Sequence, residues 1–202
     1  MPMSEFAEIL AAPGVREVCE LRGSIGFMAY HGGNLEWLTD VIAERAAERS
    51  DASLYAVVQP DGMRQHLAST RVRPAESPAL ATFLDHVDIV ITIHGFGRRG
   101  LFSSLLLGGQ NRPFAEHVGD RLRSHLPSYD VRTDLDSIPK KLRGLHDANP
   151  VNLPTQQGVQ IELPPRVRGS SPMWWDWESP DLTPHTEWLI NALAEAATTW
   201  RP

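Results

Sequence analysis

The chain alternates short apolar runs with segments of helical periodicity. Runs of strand length and composition cover residues 15–21, 24–30, 53–59, 88–94, 103–109 and 158–164, with a shorter candidate at 129–133. Apolar positions at helical spacing follow residue 34 and recur over 78–87, 113–126 and 184–199. Alternation of strands and helices is typical of α/β proteins. The pattern therefore predicts a mixed sheet of about six strands that is flanked by helices.

Local signals at the turns refine this prediction. Arg22-Gly23 separates the first two runs, which predicts a β-hairpin, and the second run is apolar enough to lie at the centre of the sheet. Asn34 is a suitable N-cap, so we expect a helix to begin there with Glu36 in its first turn. Ser77-Pro78 predicts another helix start, because proline is tolerated in the first turn.

Length, charge and cysteine content limit the class of protein. With 202 residues the chain can bury one sizeable core, so residues 1–202 are expected to form a single domain. The net charge of −6 disfavours binding to nucleic acid or anionic membranes, and an anionic substrate would need local arginines to attract it. Cys19 is the only cysteine, which excludes an intramolecular disulfide and a thiolate metal cluster. Neither a leader peptide nor a run of membrane-spanning length is recognisable, so a cytoplasmic protein is expected.

Two histidines stand at strand ends, and each precedes a glycine: FMAYHGG contains His31 and VITIHGFG contains His94. Because the carboxyl ends of strands face the ligand crevice in open α/β sheets, the two imidazoles are expected to converge. Imidazole is a common zinc ligand, and a catalytic zinc takes three protein ligands. Glu36 is the best third candidate, since Gly32-Gly33 lets the chain fold back sharply after His31. In the alternative interpretation, Glu36 only complements a helix N-terminus and His31 is an ordinary hydrogen-bonded histidine.

Glu162 lies in GVQIELPP, an apolar strand whose interior does not readily accept a carboxylate. A general base beside a metal site is one explanation, and an ion pair with Arg166 or Arg168 is the other. Serine hydrolysis is disfavoured: HGG after a strand resembles the oxyanion loop of α/β-hydrolases, but the chain has no G-x-S-x-G. The Walker phosphate-binding pattern is also missing.

Further candidates are basic residues near these motifs. Arg98 and Arg99 follow His94 and can bind a substrate carboxylate or stabilise an oxyanion, or they are solvated loop charges. The irregular segment 136–157 is longer than compact domains usually carry without a function, so it is predicted to be a site loop, with a plain surface loop as the alternative. Additional candidate substrate contacts are Arg112, Arg143, Arg168 and His146. The remaining histidines are interpreted as structural: His66, His86, His117, His125 and His185.

Several ordered blocks resemble the zinc-dependent poly-γ-glutamate hydrolases, a family with many phage-encoded members and a fold related to zinc carboxypeptidases. The blocks are HGGNLE, HLAST followed by ESPAL, DIVITIHG, and NPVNLPTQQGVQIELPPRVR, and they span roughly residues 23–168. The resemblance implies a carboxypeptidase-like fold, zinc bound by His31, Glu36 and His94, and Glu162 as the catalytic glutamate. One departure is RVRPA, which stands in place of the family's more acidic, aromatic-containing stretch and is expected to shape the substrate pocket.

The last block looks like the family's asparagine-containing loop, glutamate strand and terminal arginine. This implies that Asn152 contacts substrate and that Arg168 assists catalysis at the oxyanion. Arg98 is a second catalytic candidate at the oxyanion, because it follows His94 closely. The sequence therefore predicts a zinc-dependent hydrolase of γ-glutamyl amide bonds whose substrate is an anionic γ-glutamyl polymer. Its rivals are a zinc amidase acting on another amide, such as a cell-wall peptide or an N-acyl group, and a catalytically silent binding protein of the same fold.

Overall fold

The computed structural model describes residues 4–201, and its elements largely follow the predicted pattern. The strands are β1 (Arg16–Glu20), β2 (Gly23–Gly33), β3 (Ala52–Gln59), β4 (Ile89–Gly95), β5 (Ser104–Gly108), β6 (Asp130–Arg132) and β7 (Gly158–Leu163). The helices are α1 (Glu5–Leu10), α2 (Thr39–Ser50), α3 (Pro78–His86), α4 (Arg112–His125) and α5 (Pro184–Thr199). The α/β prediction is confirmed, with one strand more than expected.

All strands belong to one mixed sheet with the order β1-β3-β2-β4-β7-β5-β6. The central strands β3, β2, β4 and β7 run parallel to one another. β1 is antiparallel to β3 at one side, and β5 is antiparallel to β7 at the other. Because β2, β4 and β7 are parallel neighbours, their carboxyl ends meet at one edge of the sheet.

Helices cover both faces of this sheet. Side chains alternate along a strand, so neighbouring residues of β2 enter different cores. Phe27 and Ala29 pack in the core that includes α2, α4 and α5. Met28 and Tyr30 pack in a second core, which includes α1 and α3. Both faces of β2 are therefore buried, which matches its nearly uninterrupted apolar sequence.

The predicted hairpin between the first two strands is wrong. β1 pairs with β3, with Arg16 opposite Val58, while β2 lies between β3 and β4. β1 is largely polar, with Arg16, Glu17 and Glu20 exposed, so it suits a sheet edge. The apolar β2 is more stable at the centre, where both of its edges and both of its faces are covered.

The helix starts are confirmed in one case and shifted in the other. The Ser77 hydroxyl accepts a hydrogen bond from the backbone N–H of Leu80, and Pro78 is the first residue of α3. By contrast, α2 begins at Thr39 and not after Asn34. The Asn34 side chain instead donates to the carbonyl oxygen of Met63, so it ties two loops together.

None of the helices within 4–201 is both long and apolar enough to cross a bilayer.

Candidate active site

Polar side chains gather at the shared carboxyl edge of β2, β4 and β7. His31 lies near the end of β2, His94 near the end of β4, and Glu162 near the end of β7, directly opposite His94 in the strand register. The three residues are only 3%, 3% and 5% exposed. Ionisable groups are rarely buried to this extent without partners, so their contacts define the chemistry of this edge.

A tight turn after β2 returns Glu36 to His31. The backbone N–H of Glu36 donates to the carbonyl oxygen of His31 at 2.9 Å. Gly33 has a φ of 69°, and a Cβ there would lie 2.2 Å from the carbonyl oxygen of Gln59. Glycine therefore satisfies both the backbone conformation and the close approach of β3. Glu36 belongs to this turn, and the prediction that it lies in the first turn of α2 is wrong.

Gly33→Ala is expected to lower the free energy of unfolding by about 2–4 kcal/mol, because it adds overpacking to a left-handed backbone. Gly62→Ala is the matched control, since Gly62 has a φ of 82° but no atom within 4 Å of an added Cβ. It should lose only about 1–2 kcal/mol. Urea unfolding of both variants measures the difference, and equal losses would show that the contact with Gln59 adds nothing.

Both buried histidines present the same ring nitrogen to Glu36. Nδ1 of His31 lies 2.9 Å from Oε1 of Glu36, and Nδ1 of His94 lies 3.3 Å from Oε2. Nε2 of His31 donates to the carbonyl oxygen of Leu67 at 2.9 Å, and Nε2 of His94 is 3.0 Å from the Tyr30 hydroxyl. Metal-binding histidines usually donate their second ring nitrogen in this way. Where Nε2 is the donor, the neutral ring keeps its Nδ1 lone pair for a metal ion that would lie between the ring and Glu36.

These donors fit a metal ion. Two imidazoles and one carboxylate form a ligand set found in catalytic zinc sites. His66 is a further donor: ligand atoms of His31, Glu36 and His66 all lie within 4.8 Å of one another. The sequence analysis interpreted His66 as a structural histidine. In the structure His66 is exposed, and its ring centroid lies 4.9 Å from that of His31, so it also borders the cluster of donors. The HLAST block contained this signal.

Burial and charge act in opposite directions on these groups. Burial alone would raise the pKa of Glu36, but the imidazoles of His94 and His31 hold that pKa well below its usual range. Burial lowers the pKa of His31, whereas at His94 the Glu36 carboxylate outweighs burial and raises the pKa. Burial raises the pKa of Glu162 to about 7, against the opposing effect of His94. A carboxyl group near neutrality is suited to proton transfer.

A buried hydrogen-bond network connects Glu162 to His94. The Gln160 amide donates to Oε1 of Glu162 at 2.9 Å, and the Asn149 amide donates to Oε1 of Gln160 at 2.8 Å. The Tyr30 hydroxyl donates to Oδ1 of Asn149 at 3.4 Å and so can accept from Nε2 of His94. The network thus orients both the strand-end carboxylate and one imidazole.

A cavity of about 380 Å³ opens onto these groups. Its lining contains His31, Glu36, His66, Ala68, Ser69, His94, Gly95, Phe96, Lys141, Leu142, Gln160 and Glu162. The possible metal ligands and the Glu162 carboxylate therefore line the same cavity, where a substrate can reach both.

Comparison with known proteins decides the family. A sequence model described as poly-gamma-glutamate hydrolase matches residues 6–175. The chain belongs to this family. Poly-gamma-glutamate hydrolases act on γ-glutamyl amide bonds, so this chain is a hydrolase by family. No curated protein sequence matches the chain.

Two solved structures have the same fold as this chain. A bacteriophage poly-gamma-glutamate hydrolase is 21% identical, and the match covers 94% of this chain and 91% of that chain with a TM-score of 0.77. YNDL in a zinc-free form is 17% identical, with 92% and 90% coverage and a TM-score of 0.76. At these identities the likeness concerns the fold, and it agrees with the predicted architecture.

Arg168 lies beside the cluster of His31, Glu36, His94 and Glu162, and it is only 6% exposed. Its Nη1 donates to the carbonyl oxygen of Trp37 at 2.7 Å, and its Nε donates to that of Leu163 at 3.1 Å. A Cβ on Gly95 would lie 2.8 Å from its Cζ, so this glycine makes room for the guanidinium. Burial lowers the pKa of Arg168, while Glu36 and Glu162 oppose that effect.

The ion pair proposed as the alternative role of Glu162 does not form in the part of the chain that the structure describes. No arginine nitrogen among residues 4–201 lies within 4.0 Å of its carboxylate oxygens. Arg166 instead donates to the Ser103 hydroxyl and lies over the Tyr129 ring, 5.0 Å from its centroid. Among the described residues, the only side-chain hydrogen-bond donor to the Glu162 carboxylate is Gln160.

Arg168 lies outside the lining of this cavity, and so do three other predicted arginines. Arg98 and Arg99 are exposed in the loop after β4. That loop spaces its glycines as G-x-G-x-x-G but leads to β5 and not to a helix, so it forms no dinucleotide-binding turn. Arg112 donates to the carbonyl oxygens of Gly109, Leu107 and Thr133. These contacts occupy its guanidinium and favour a structural role.

The predicted site loop reaches the cavity through only some of its residues. Arg143 and His146 line a second cavity next to the first. Asn152 is buried, and its amide donates to the carbonyl oxygens of Gly144 and His146, so it holds the loop in shape. Sequence reasoning missed Gln160, although residues i and i+2 of a strand share a face and Gln160 precedes Glu162 by two. It also missed Tyr30 and Asn149, for which no local signal exists.

Proposed function

We propose that this chain cleaves γ-glutamyl amide bonds of a poly-γ-glutamate chain at a zinc site formed by His31, Glu36 and His94. The observation that carries the proposal is the pair of Nδ1 atoms facing one carboxylate while both Nε2 atoms are anchored. The zinc-free structure of YNDL, a protein of the same fold, supports zinc as the metal. When bound, zinc supplies a Lewis acid that polarises a carbonyl oxygen and lowers the pKa of water.

In this mechanism Glu162 is the general base. It takes a proton from the attacking water and later delivers a proton to the leaving nitrogen. Gln160 donates to one carboxylate oxygen, which leaves the other free to act. The Arg168 guanidinium, anchored by two carbonyl oxygens, is the group that stabilises the oxyanion.

Incubation of the zinc-loaded chain with poly-γ-glutamate tests the proposal directly. Gel filtration or light scattering should show that the polymer shortens, whereas an unloaded sample should leave the chain length unchanged. An uncharged amide substrate is the matched comparison. If that amide is cleaved while the polymer stays intact, the enzyme is an amidase of another specificity.

A further inference from the structure

The only two lysines of the chain are adjacent, at positions 140 and 141. They lie in a short helical turn, Lys140–Leu142, within the long loop before β7. Both residues line a cavity of about 310 Å³ that adjoins the catalytic cavity. The two cavities share Ala68, Ser69, Lys141 and Gln160 in their linings, so they form one continuous cleft.

This second cavity is basic, although the protein as a whole carries a net charge of −6. Arg143 and His146 complete its basic lining, and no acidic residue belongs to it within the described range 4–201. Neither lysine forms an ion pair with a carboxylate among these residues. Arg143 is less available, since its Nε donates to the carbonyl oxygen of Ile138 and its Nη2 lies 3.7 Å from a carboxylate oxygen of Asp136. The lysine ammonium groups are the exposed, uncommitted charges.

A γ-linked glutamate chain carries one free α-carboxylate per residue, so its charges repeat along the polymer on both sides of the amide that is cut. Such a chain needs positive charge beyond the catalytic groups, because the field of the whole protein repels it. Lysine is a compact charge on a flexible stem, which suits carboxylates along a flexible polymer better than a fixed guanidinium fork does. Both lysines are exposed, and neither pairs with a carboxylate among the described residues.

We propose that Lys140 and Lys141 form an anionic-polymer subsite, which binds carboxylates of the γ-glutamyl chain on one side of the cleaved bond. The subsite rests on the proposed function for the identity of its ligand. It contributes to binding in the ground state and the transition state alike, so its removal should raise KM and leave kcat nearly unchanged.

The test compares zinc-loaded wild type with the double variant Lys140→Gln/Lys141→Gln. KM for poly-γ-glutamate should rise about 2- to 30-fold, the effect of losing two exposed charge pairs, while kcat stays close to the wild-type value. Added salt should raise the KM of the wild type more steeply than the KM of the variant. Salt screens the attraction between the lysines and the polymer carboxylates, and the variant lacks that attraction. A γ-glutamyl amide whose α-amine and α-carboxylate are both blocked carries no charge and should show the same KM with both proteins.

The control is Arg45→Gln/Arg49→Gln, which removes the same net charge. Both arginines pair with Glu187 and line neither cavity. The control should keep the wild-type KM, and a rise equal to that of the lysine variant would overturn the subsite in favour of a general charge effect.

Amine acetylation provides a second test, because it neutralises only these two lysines and the N-terminal amine. Acetylated wild type should reproduce the raised KM, and acetylation of the lysine double variant should change nothing further. An unchanged KM in acetylated wild type would overturn the subsite, because both lysine charges would be gone without effect on polymer binding.

Direct binding separates this proposal from the function on which it rests. Poly-γ-glutamate is titrated into zinc-loaded Glu162→Gln with and without the lysine substitutions. Weaker binding in the absence of the lysines supports the subsite even if wild type proves unable to cleave the polymer. Equal binding overturns the subsite even if cleavage is observed.

Discussion

Glu162→Gln should lower turnover of the γ-glutamyl substrate by at least about 10²–10⁴-fold, the usual contribution of general acid–base catalysis. The amide has the shape of the carboxylate but cannot accept the proton. Its oxygen can still accept the hydrogen bond from Gln160 that holds Glu162 in the wild type. Zinc content, measured by elemental analysis, should therefore stay at the wild-type level while kcat falls.

Glu48→Gln is the matched control, because Glu48 is exposed on α2 and the substitution removes the same charge. It should leave kcat and zinc content unchanged. If Glu162→Gln retains near wild-type turnover with the substrate that the enzyme cleaves, the glutamate is structural and another group takes the proton. If it loses zinc as well as turnover, Glu162 takes part in holding the metal.

Removal of a metal ligand should have the second large effect. His31→Ala, Glu36→Ala and His94→Ala should each lose most of the bound zinc, about one ion per chain in the wild type, because each leaves an incomplete set of three protein ligands. Activity should fall with zinc content, and a chelator should inactivate the wild type. Elemental analysis after dialysis measures the occupancy.

His66→Ala distinguishes the two ligand sets that the geometry permits. His94 is buried, and its Nε2 is held by Tyr30, whereas His66 is exposed. An oriented imidazole is the better ligand. His66→Ala should therefore keep most of its zinc, and the assignment of His94 is overturned if His66→Ala loses the metal while His94→Ala retains it.

Local patterns determined the positions of most elements. The last helix was predicted at 184–199 and spans Pro184–Thr199, because an apolar stripe of helical period needs no partner to be recognised. The strand pairing of β1 was not predictable in the same way. Its partner, β3, lies more than 30 residues away in the sequence, and edge and centre positions depend on which strands compete for the core.

For the candidate active site, too, some features follow from local sequence and others only from the packing of the chain. The sequence by itself determined that His31, His94 and Glu162 end three strands, because an imidazole or a carboxylate stands out in an apolar run. It also indicated the return of Glu36, since paired glycines allow a sharp turn. Only the tertiary structure decided that the turn precedes the helix, as the close approach of Gln59 to Gly33 shows.

Only the tertiary structure, too, brought together groups that lie far apart in the chain. Lys141 carries no mark of function in the sequence, because surface loops show neither strand nor helix period. His66 opens the HLAST block, but only the structure brings its ring beside that of His31. Tyr30, Asn149 and Gln160 form one buried network only because the loop before β7 folds over the end of β2. Sequence periodicity reports which face of an element is buried, whereas contacts between loops depend on the packing of the whole chain.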